Sequence, residues 1–92
     1  MLWLNGALLD ESEASLSPAD RGLLLADGLF ETMRAQAGRV CHLAAHLARL
    51  RQGAAVLGLP VPCHDDELAG AIAELLAAEG LAGTAAALRL TL

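Results

Sequence analysis

Residues 29–57 have the sequence LFETMRAQAGRVCHLAAHLARLRQGAAVL, and the hydrophobic pattern changes its period half-way along. From Leu29 to Ala37 the residues alternate between the two sides of an extended chain, which predicts a β-strand. Gly38 then turns the chain, and residues 39–41 return as a second strand. From residue 43 onward apolar residues recur every three or four positions, which predicts an amphipathic helix. The buried stripe predicted for this helix consists of Leu43, Leu47, Leu50, Ala54 and Leu57.

The first nine residues predict a second hairpin. Leu2-Trp3-Leu4 and Ala7-Leu8-Leu9 are two short apolar runs. They are joined by Asn5-Gly6, the strongest two-residue signal for a type I′ turn. We therefore expect an antiparallel pair of strands at the start of the chain.

The stretch between the two hairpins is predicted to be mostly irregular. Residues 10–15 are polar and acidic, which is typical of a solvated connection. Residues 17–20 predict a single helical turn, with Ser17 as its cap and Pro18 at its first position. Residues 23–26 form an apolar segment, which Asp27-Gly28 is expected to close with a turn.

A second helix and a last strand complete the pattern. Residues 65–67 are all acidic, which favours the beginning of a helix, and Gly80 is expected to end it. Residues 88–92 alternate as a strand does. The buried face predicted for this helix consists of Leu68, Ile72, Leu75 and Leu76. The whole order predicts an α+β fold, in which two amphipathic helices cover one face of a mainly antiparallel sheet built from hairpins.

Composition narrows the class of protein. A chain of 92 residues with 55% hydrophobic and 18% charged residues is typical of one packed domain rather than of a disordered segment. Its net charge of −5 argues against general nucleic-acid binding, which needs a basic face. The sequence shows neither an apolar run of spanning length nor the basic start of a secretory signal. Two cysteines are too few for a disulfide framework, so we expect a cytoplasmic domain. From the charge and the lack of a long apolar run, we expect no nucleic-acid or membrane partner.

Histidine and cysteine occur together twice, which raises the possibility of a metal site. Cys41, His42 and His46 lie at the start of the first predicted helix, and Cys63-His64 follows that helix. Zinc needs three or four such ligands on one point. We favour the simpler interpretation, in which the histidines flank a helix and the cysteines are small core residues. The sequence also contains no G-x-S-x-G, P-loop or G-x-G-x-x-G motif.

One flank of the first predicted helix has a different character. At 100° per residue, His46, Arg49 and Gly53 form a continuous strip beside the buried stripe, rather than opposite it. Arginine is suited to bidentate recognition of a carboxylate or phosphate, and Gly53 leaves room for a group to approach. The alternative is a surface arginine whose stem covers apolar area. Spacing alone leaves both interpretations open and favours the surface arginine.

Four segments occur in the order and spacing of a known family. They are Trp3-Leu4-Asn5-Gly6, Asp20-Arg21-Gly22, residues 27–34 with the sequence DGLFETMR, and residues 46–50 with the sequence HLARL. In these motifs the chain resembles the class IV aminotransferases, a family of fold-type IV pyridoxal-phosphate enzymes. That family includes D-amino acid transaminase, branched-chain aminotransferase and aminodeoxychorismate lyase. The Asp-Gly-x-Phe-Glu-Thr form resembles the lyase and D-amino acid branch more than the branched-chain one.

The resemblance implies a place and a role for this domain. Residues 1–92 would be the smaller N-terminal domain, and the following, larger domain would carry the Schiff-base lysine. Arg49 matches the arginine that contacts the phosphate of pyridoxal 5'-phosphate, and Phe30 matches an aromatic position on the substrate side. Leu25 stands where relatives commonly carry Tyr or Phe. The substrate would be an amino acid or aminodeoxychorismate, the latter in folate synthesis, and the complete enzyme would be a homodimer.

The chain contains no lysine, so it cannot form the covalent link that such an enzyme makes with its cofactor. It therefore contributes no catalytic residue of that kind, and by itself we expect it to be inactive. The strand at residues 88–92 has no closing turn, and we interpret position 92 as an interruption. The same strand would leave an edge at which copies of the chain could associate. The alternative function is a small interaction or regulatory domain derived from the family.

These interpretations make a geometric prediction about two arginines. If Arg49 contacts a cofactor phosphate, we expect its guanidinium to be open, near Phe30, and free of an internal salt bridge with an acid such as Glu31 or Glu74. Arg51 lies on the other flank of the helix, so we expect it to be a solvated side chain.

Overall fold

The computed structural model describes all residues, 1–92, and confirms the α+β class. Five strands, three α-helices and one short 3-10 helix follow one another along the chain. In chain order they are β1 (Leu2–Leu4), β2 (Ala7–Leu9), the 3-10 helix (Glu11–Glu13), α1 (Arg21–Leu25), β3 (Phe30–Gln36), β4 (Arg39–Val40), α2 (Leu43–Leu57), α3 (Asp65–Ala78) and β5 (Ala85–Thr91). No helix among them is both long and apolar enough to cross a membrane.

The strands form two antiparallel sheets rather than one. β1 pairs with β2, and a three-stranded sheet has the order β4-β3-β5. Both hairpins turn through two residues with positive φ, Asn5-Gly6 in the first and Ala37-Gly38 in the second. This is the backbone geometry of a type I′ turn, whose twist matches that of the strands. The Asn5-Gly6 prediction is confirmed.

β5 lies beside β3 along its whole length, from the pair of Phe30 with Thr91 to the pair of Gln36 with Ala85. One further pair extends the ladder, because Leu29 and Leu92 exchange two backbone hydrogen bonds of 3.1 and 2.8 Å. β5 is therefore an edge strand, with no neighbour on its other side.

The core lies between β3 and the two long helices. The alternation of β3 buries one face of the strand and exposes the other, as predicted. The nine buried residues are Glu31, Met33, Ala35, Leu47, Leu50, Ala54, Leu68, Ala71 and Leu76. α2 contacts β3, whereas α3 contacts the β1–β2 hairpin. α2 therefore packs on the buried face of β3, and the other face of this strand is exposed.

The stripe predictions are confirmed at three of five positions in α2 and at two of four in α3, where the predicted residues are buried. In α2 the predicted Leu57, which lies in the last turn of the helix, is 49% exposed. In α3 Ala71 is buried, whereas the predicted Ile72 and Leu75 are only half-buried. Leu75 instead lines an apolar groove between β1 and β5.

The first short helix begins three residues later than predicted. Asp20, not Ser17, is its cap, because the Asp20 Oδ1 atom accepts hydrogen bonds from the backbone N–H groups of Gly22 and Leu23 at 2.8 and 3.2 Å. The Oγ atom of Ser17 accepts a bond only from the backbone N–H of Ala19. A side chain that satisfies two of the free N–H groups at a helix start is the stronger cap. The apolar segment after Asp20 is therefore α1 itself.

Candidate functional site

A buried carboxylate is the centre of the candidate site. Glu31 is the one charged residue of the core, and only 5% of it is exposed. Its Oε1 atom accepts a 2.6 Å hydrogen bond from Nε of Arg49, and its Oε2 atom accepts another of 2.6 Å from Nη2 of the same side chain. Nδ1 of His46 lies 2.7 Å from Oε2. The strand supplies the anion, and the helix beside it supplies its partners.

The periods of the two elements bring these residues together. β3 alternates, so Glu31 points toward the helices whereas its neighbour Phe30 points to the open face. In α2, His46 and Arg49 are three residues apart and lie on one flank. Gly53 continues that flank, and a Cβ atom there would lie 3.3 Å from Cδ2 of Leu29. The strip of His46, Arg49 and Gly53 predicted from the sequence therefore faces the start of β3.

The contacts explain the charge state of Glu31. The hydrogen bonds from Arg49, and then that from His46, lower the pKa of the Glu31 carboxyl to about 2, although burial opposes the shift. The same pair raises the pKa of the Arg49 guanidinium, chiefly through the hydrogen bond to Glu31. No buried side-chain nitrogen or oxygen is without a hydrogen-bond partner. Glu31 is therefore an ionised carboxylate near neutral pH.

The expectation that Arg49 is free of an internal salt bridge is wrong. Its partner is Glu31, because the alternation of β3 turns this carboxylate toward α2, and a buried carboxylate needs a hydrogen-bonded cation. The guanidinium is nevertheless open, since the Arg49 side chain is 70% exposed. Glu31 occupies the edge formed by Nε and Nη2, so Nη1 and the second N–H of Nη2 remain available.

The open edge of Arg49 borders a shallow pocket of about 460 Å³. Leu29, Phe30, Glu31, Thr32, Arg49 and Gly53 line this pocket. Phe30 is 55% exposed, and Cζ of Arg89 lies 3.9 Å from the centre of its ring. The prediction did not include Arg89, although the alternation of residues 88–92 places it on the face opposite the leucines. Phe30 and Arg49 thus line the same pocket, although the Phe30 ring points to the open face of β3 and Arg49 binds Glu31 on the other face.

Leu25 lies apart from this pocket. It is in α1, it is 62% exposed, and it does not line the pocket beside Arg49. Phe30 and Arg49 therefore line one pocket, whereas Leu25 does not. Asp27, in the loop after α1, accepts a 2.9 Å hydrogen bond from Nε of Arg21. This bond ties the start of α1 to the segment that leads into β3.

Arg51 is not the solvated side chain that its helical position predicts. Its Nε donates a 2.8 Å hydrogen bond to Oδ1 of Asp65, and its Nη2 donates one of 2.8 Å to the carbonyl of Cys63. Cys63 lies in the loop after α2, and Asp65 is the first residue of α3. A helical wheel of α2 does not predict where these later residues lie. Arg51 therefore links α2 to the start of α3.

The histidine and cysteine residues do not form a cluster. No group of three or more His, Cys, Asp or Glu side chains is close enough to hold a metal ion. His46 is engaged with Glu31, whereas His42 and His64 precede the first residues of α2 and α3. Cys41 and Cys63 are both free thiols, and the interpretation of both as core residues is wrong, because Cys41 is exposed and Cys63 is only half-buried.

A larger groove of about 920 Å³ lies elsewhere, between the β1–β2 hairpin, α3 and β5. Most of its lining is apolar, including Leu4, Leu75 and Leu90, and neither Arg49 nor Phe30 borders it. Polar groups that converge on one point are what distinguish a binding site for a small charged ligand. The smaller pocket at Arg49 has them and is the candidate site.

Comparison with known proteins identifies the family. The family model described as amino-transferase class IV matches residues 28–92. A putative branched-chain-amino-acid aminotransferase of Methanocaldococcus jannaschii is 38% identical over 80 residues, which are 87% of this chain and 28% of that protein. The bifunctional aminodeoxychorismate lyase / D-amino acid transaminase of Mycobacterium tuberculosis is 39% identical over 59 residues, 64% of this chain and 20% of that protein. The chain therefore belongs to the class IV aminotransferase family.

The fold is shared as well. The crystal structure of a branched-chain aminotransferase from Thermoproteus uzoniensis with norvaline matches 97% of this chain and 31% of that one, with 33% identity and a TM-score of 0.83. The fold expected from the family resemblance is thus confirmed. The chain spans less than a third of the length of each of these three proteins. Their names cover more than one activity, so they identify the family rather than one reaction.

Proposed function

We propose that this chain is the smaller, N-terminal domain of a pyridoxal-phosphate-dependent aminotransferase or lyase, and that Arg49 contacts the phosphate of pyridoxal 5'-phosphate. One observation carries the proposal: a guanidinium fixed on one edge and open on the other borders a pocket. We also propose, as the family resemblance implies, that Phe30 and Leu25 face the substrate. The family membership supports this choice of ligand.

The residues fit the phosphate end of this cofactor. Phosphate is recognised by planar, bidentate donors, and Arg49 has three N–H groups left, two of which lie along the edge formed by Nη1 and Nη2. A Cβ atom at Gly53 would approach Leu29 at 3.3 Å, so the absence of a side chain there keeps this side of the pocket clear. Phe30 also lines the pocket, and its ring lies against Arg89 on the open face of β3.

The rest of the cofactor site must come from another part of the enzyme. Pyridoxal phosphate supplies the electron sink that amino-acid chemistry of this kind needs, and a lysine amine holds it covalently. This chain has no lysine, and it spans 28% of the M. jannaschii relative. We propose that a second, larger domain carries the lysine and completes the site, and that residues 1–92 alone are inactive.

Two reactions fit this domain equally well. An aminotransferase moves an amino group between an amino acid and a 2-oxo acid. Aminodeoxychorismate lyase eliminates pyruvate from 4-amino-4-deoxychorismate, a step of folate synthesis. In either case we propose a cytoplasmic homodimer, a location that the two free thiols support and an association that the unpaired edge of β5 would allow.

The test measures binding of the cofactor to the chain. Pyridoxal 5'-phosphate is titrated into the isotopically labelled protein and into Arg49→Ala, and binding is followed by NMR. Since a charge-assisted hydrogen bond is lost, the substitution should weaken binding by about one to two decades in affinity. Arg49→Lys should restore only part, because a point charge replaces a planar fork.

Two controls make this test specific. Pyridoxal, which lacks the phosphate, should bind the protein and Arg49→Ala equally. Arg39→Ala removes the same charge from an exposed residue of β4 that does not line the pocket, and should bind the cofactor like the unchanged protein. Equal affinities of Arg49→Ala and the unchanged protein for pyridoxal 5'-phosphate would refute the proposal.

A further inference from the structure

We propose that Glu31 is the positioning residue for Arg49: its buried carboxylate holds one edge of the guanidinium, so that the other edge faces the pocket in the orientation that a phosphate needs. The inference rests on the proposed function of Arg49 and assigns to Glu31 a part in the same site. It also explains why an internal salt bridge and a binding role coexist in one side chain.

The hold on Arg49 is rigid because the carboxylate itself is fixed. Glu31 lies in β3, where its backbone is paired with Leu90 of β5. Both of its oxygens bind Arg49 at 2.6 Å, and Oε2 also contacts His46 at 2.7 Å. A guanidinium is planar, so two bonds along one edge fix the direction of the remaining N–H groups. An exposed arginine without such a partner samples many rotamers, and binding would have to order them.

Glu31 has a second, opposing effect on an anion. Its negative charge repels phosphate, so the loss of that charge would by itself strengthen binding. The loss of positioning would weaken it. The two effects separate in Glu31→Asp, which keeps the charge but shortens the side chain by one methylene and cannot hold both Arg49 nitrogens from the same backbone position.

The experiment is a double-mutant cycle in the chain, with pyridoxal 5'-phosphate as the probe and pyridoxal as the control. Glu31→Asp should weaken binding of pyridoxal 5'-phosphate by about threefold to tenfold when Arg49 is present. In the Arg49→Ala background the same substitution should have no effect, because Glu31 then has nothing to position. The Nε–H signal of Arg49 should be protected from exchange in the unchanged protein, because this group donates to Glu31, and should exchange rapidly in Glu31→Asp.

Three results would overturn the inference. They are unchanged binding in Glu31→Asp, an equal loss in both backgrounds, and a protected Arg49 signal in Glu31→Asp. If one of these results is found and Arg49→Ala still binds pyridoxal 5'-phosphate weakly, the inference about Glu31 fails but the proposed function of Arg49 stands. Unchanged binding in Arg49→Ala refutes both statements.

A second variant covers the case in which Glu31→Asp does not fold. Glu31→Gln keeps the length of the side chain, but its amide nitrogen cannot accept a hydrogen bond from Arg49. It should also weaken binding of pyridoxal 5'-phosphate, even though the repelling charge is gone. Stronger binding in Glu31→Gln would show that Glu31 acts only as a charge, and would overturn the inference.

Discussion

Replacement of Gly28 by alanine should destabilise the domain because of one close backbone approach. A Cβ atom at Gly28 would lie 2.6 Å from the carbonyl oxygen of Leu92, which is about 0.8 Å closer than the 3.4 Å at which ordinary contact begins. Gly28 does not have a positive φ, so the approach, and not the backbone conformation, excludes a side chain. The obstacle is a backbone atom, which no rotamer change can move.

The cost follows from the ladder that Gly28 precedes. To relieve the contact, the chain must separate Leu29 from Leu92, whose two backbone hydrogen bonds measure 3.1 and 2.8 Å. At roughly 0.5–1.5 kcal/mol for each bond, Gly28→Ala should lower the free energy of unfolding by about 1–3 kcal/mol. This is a large part of the stability of a domain of this size.

Gly53→Ala is the matched control. Its Cβ atom would lie 3.3 Å from the end of the Leu29 side chain, which can move by a few tenths of an ångström. Alanine is favoured over glycine within a helix by roughly 0.5–1 kcal/mol, so Gly53→Ala should be neutral or slightly stabilising. Urea unfolding followed by circular dichroism measures both variants. Equal stability of Gly28→Ala and the unchanged protein would refute the reasoning.

Two further predictions concern stability. The pKa of Glu31 is lowered in the folded state, so the stability that Glu31 contributes is present above its ordinary pKa of 4.5 and is lost as the pH falls toward 2. Urea midpoints measured from about pH 5 to about pH 2.5 should therefore fall less steeply in Glu31→Gln than in the unchanged protein. Equal slopes would contradict this. Arg51→Ala removes two hydrogen bonds that join α2 to the start of α3, so it should lower the free energy of unfolding by about 1 kcal/mol in the same assay. The control Arg39→Ala should change it by less than about 0.5 kcal/mol. Equal values for these two arginine variants would contradict the role of Arg51.

The local patterns predicted the elements that depend on neighbouring residues. The alternation of residues 29–37 and the stripe of residues 43–57 gave β3 and α2, and Asn5-Gly6 gave the first hairpin. In each of these elements, one residue type or spacing decides the conformation. The cap of α1 was misplaced because Ser17 and Asp20 are both capable caps, and only the folded backbone shows which N–H groups point at a side chain.

Contacts between distant residues were beyond such patterns. The alternation placed Glu31 on the side of Met33 and Ala35, but that this side is the buried one depends on α2, and the bond to Arg49 joins residues 18 positions apart. Arg51 was misjudged for the same reason, since its partners lie beyond the end of its own helix. Gly28 resembled a turn glycine, whereas the left-handed residue is Ala26 and Gly28 serves a contact with Leu92.

The most direct test of the account observes the Arg49 guanidinium itself while ligand is added. The N–H signals of Arg49, assigned by their loss in Arg49→Ala, are followed as pyridoxal 5'-phosphate, inorganic phosphate or pyridoxal is titrated into the labelled chain. The account predicts that both phosphate-bearing ligands shift these signals in a saturable way, that pyridoxal does not, and that the signals of Arg39 stay in place. Arg49 signals that respond no more than those of Arg39 would contradict the claim that Arg49 is the phosphate ligand.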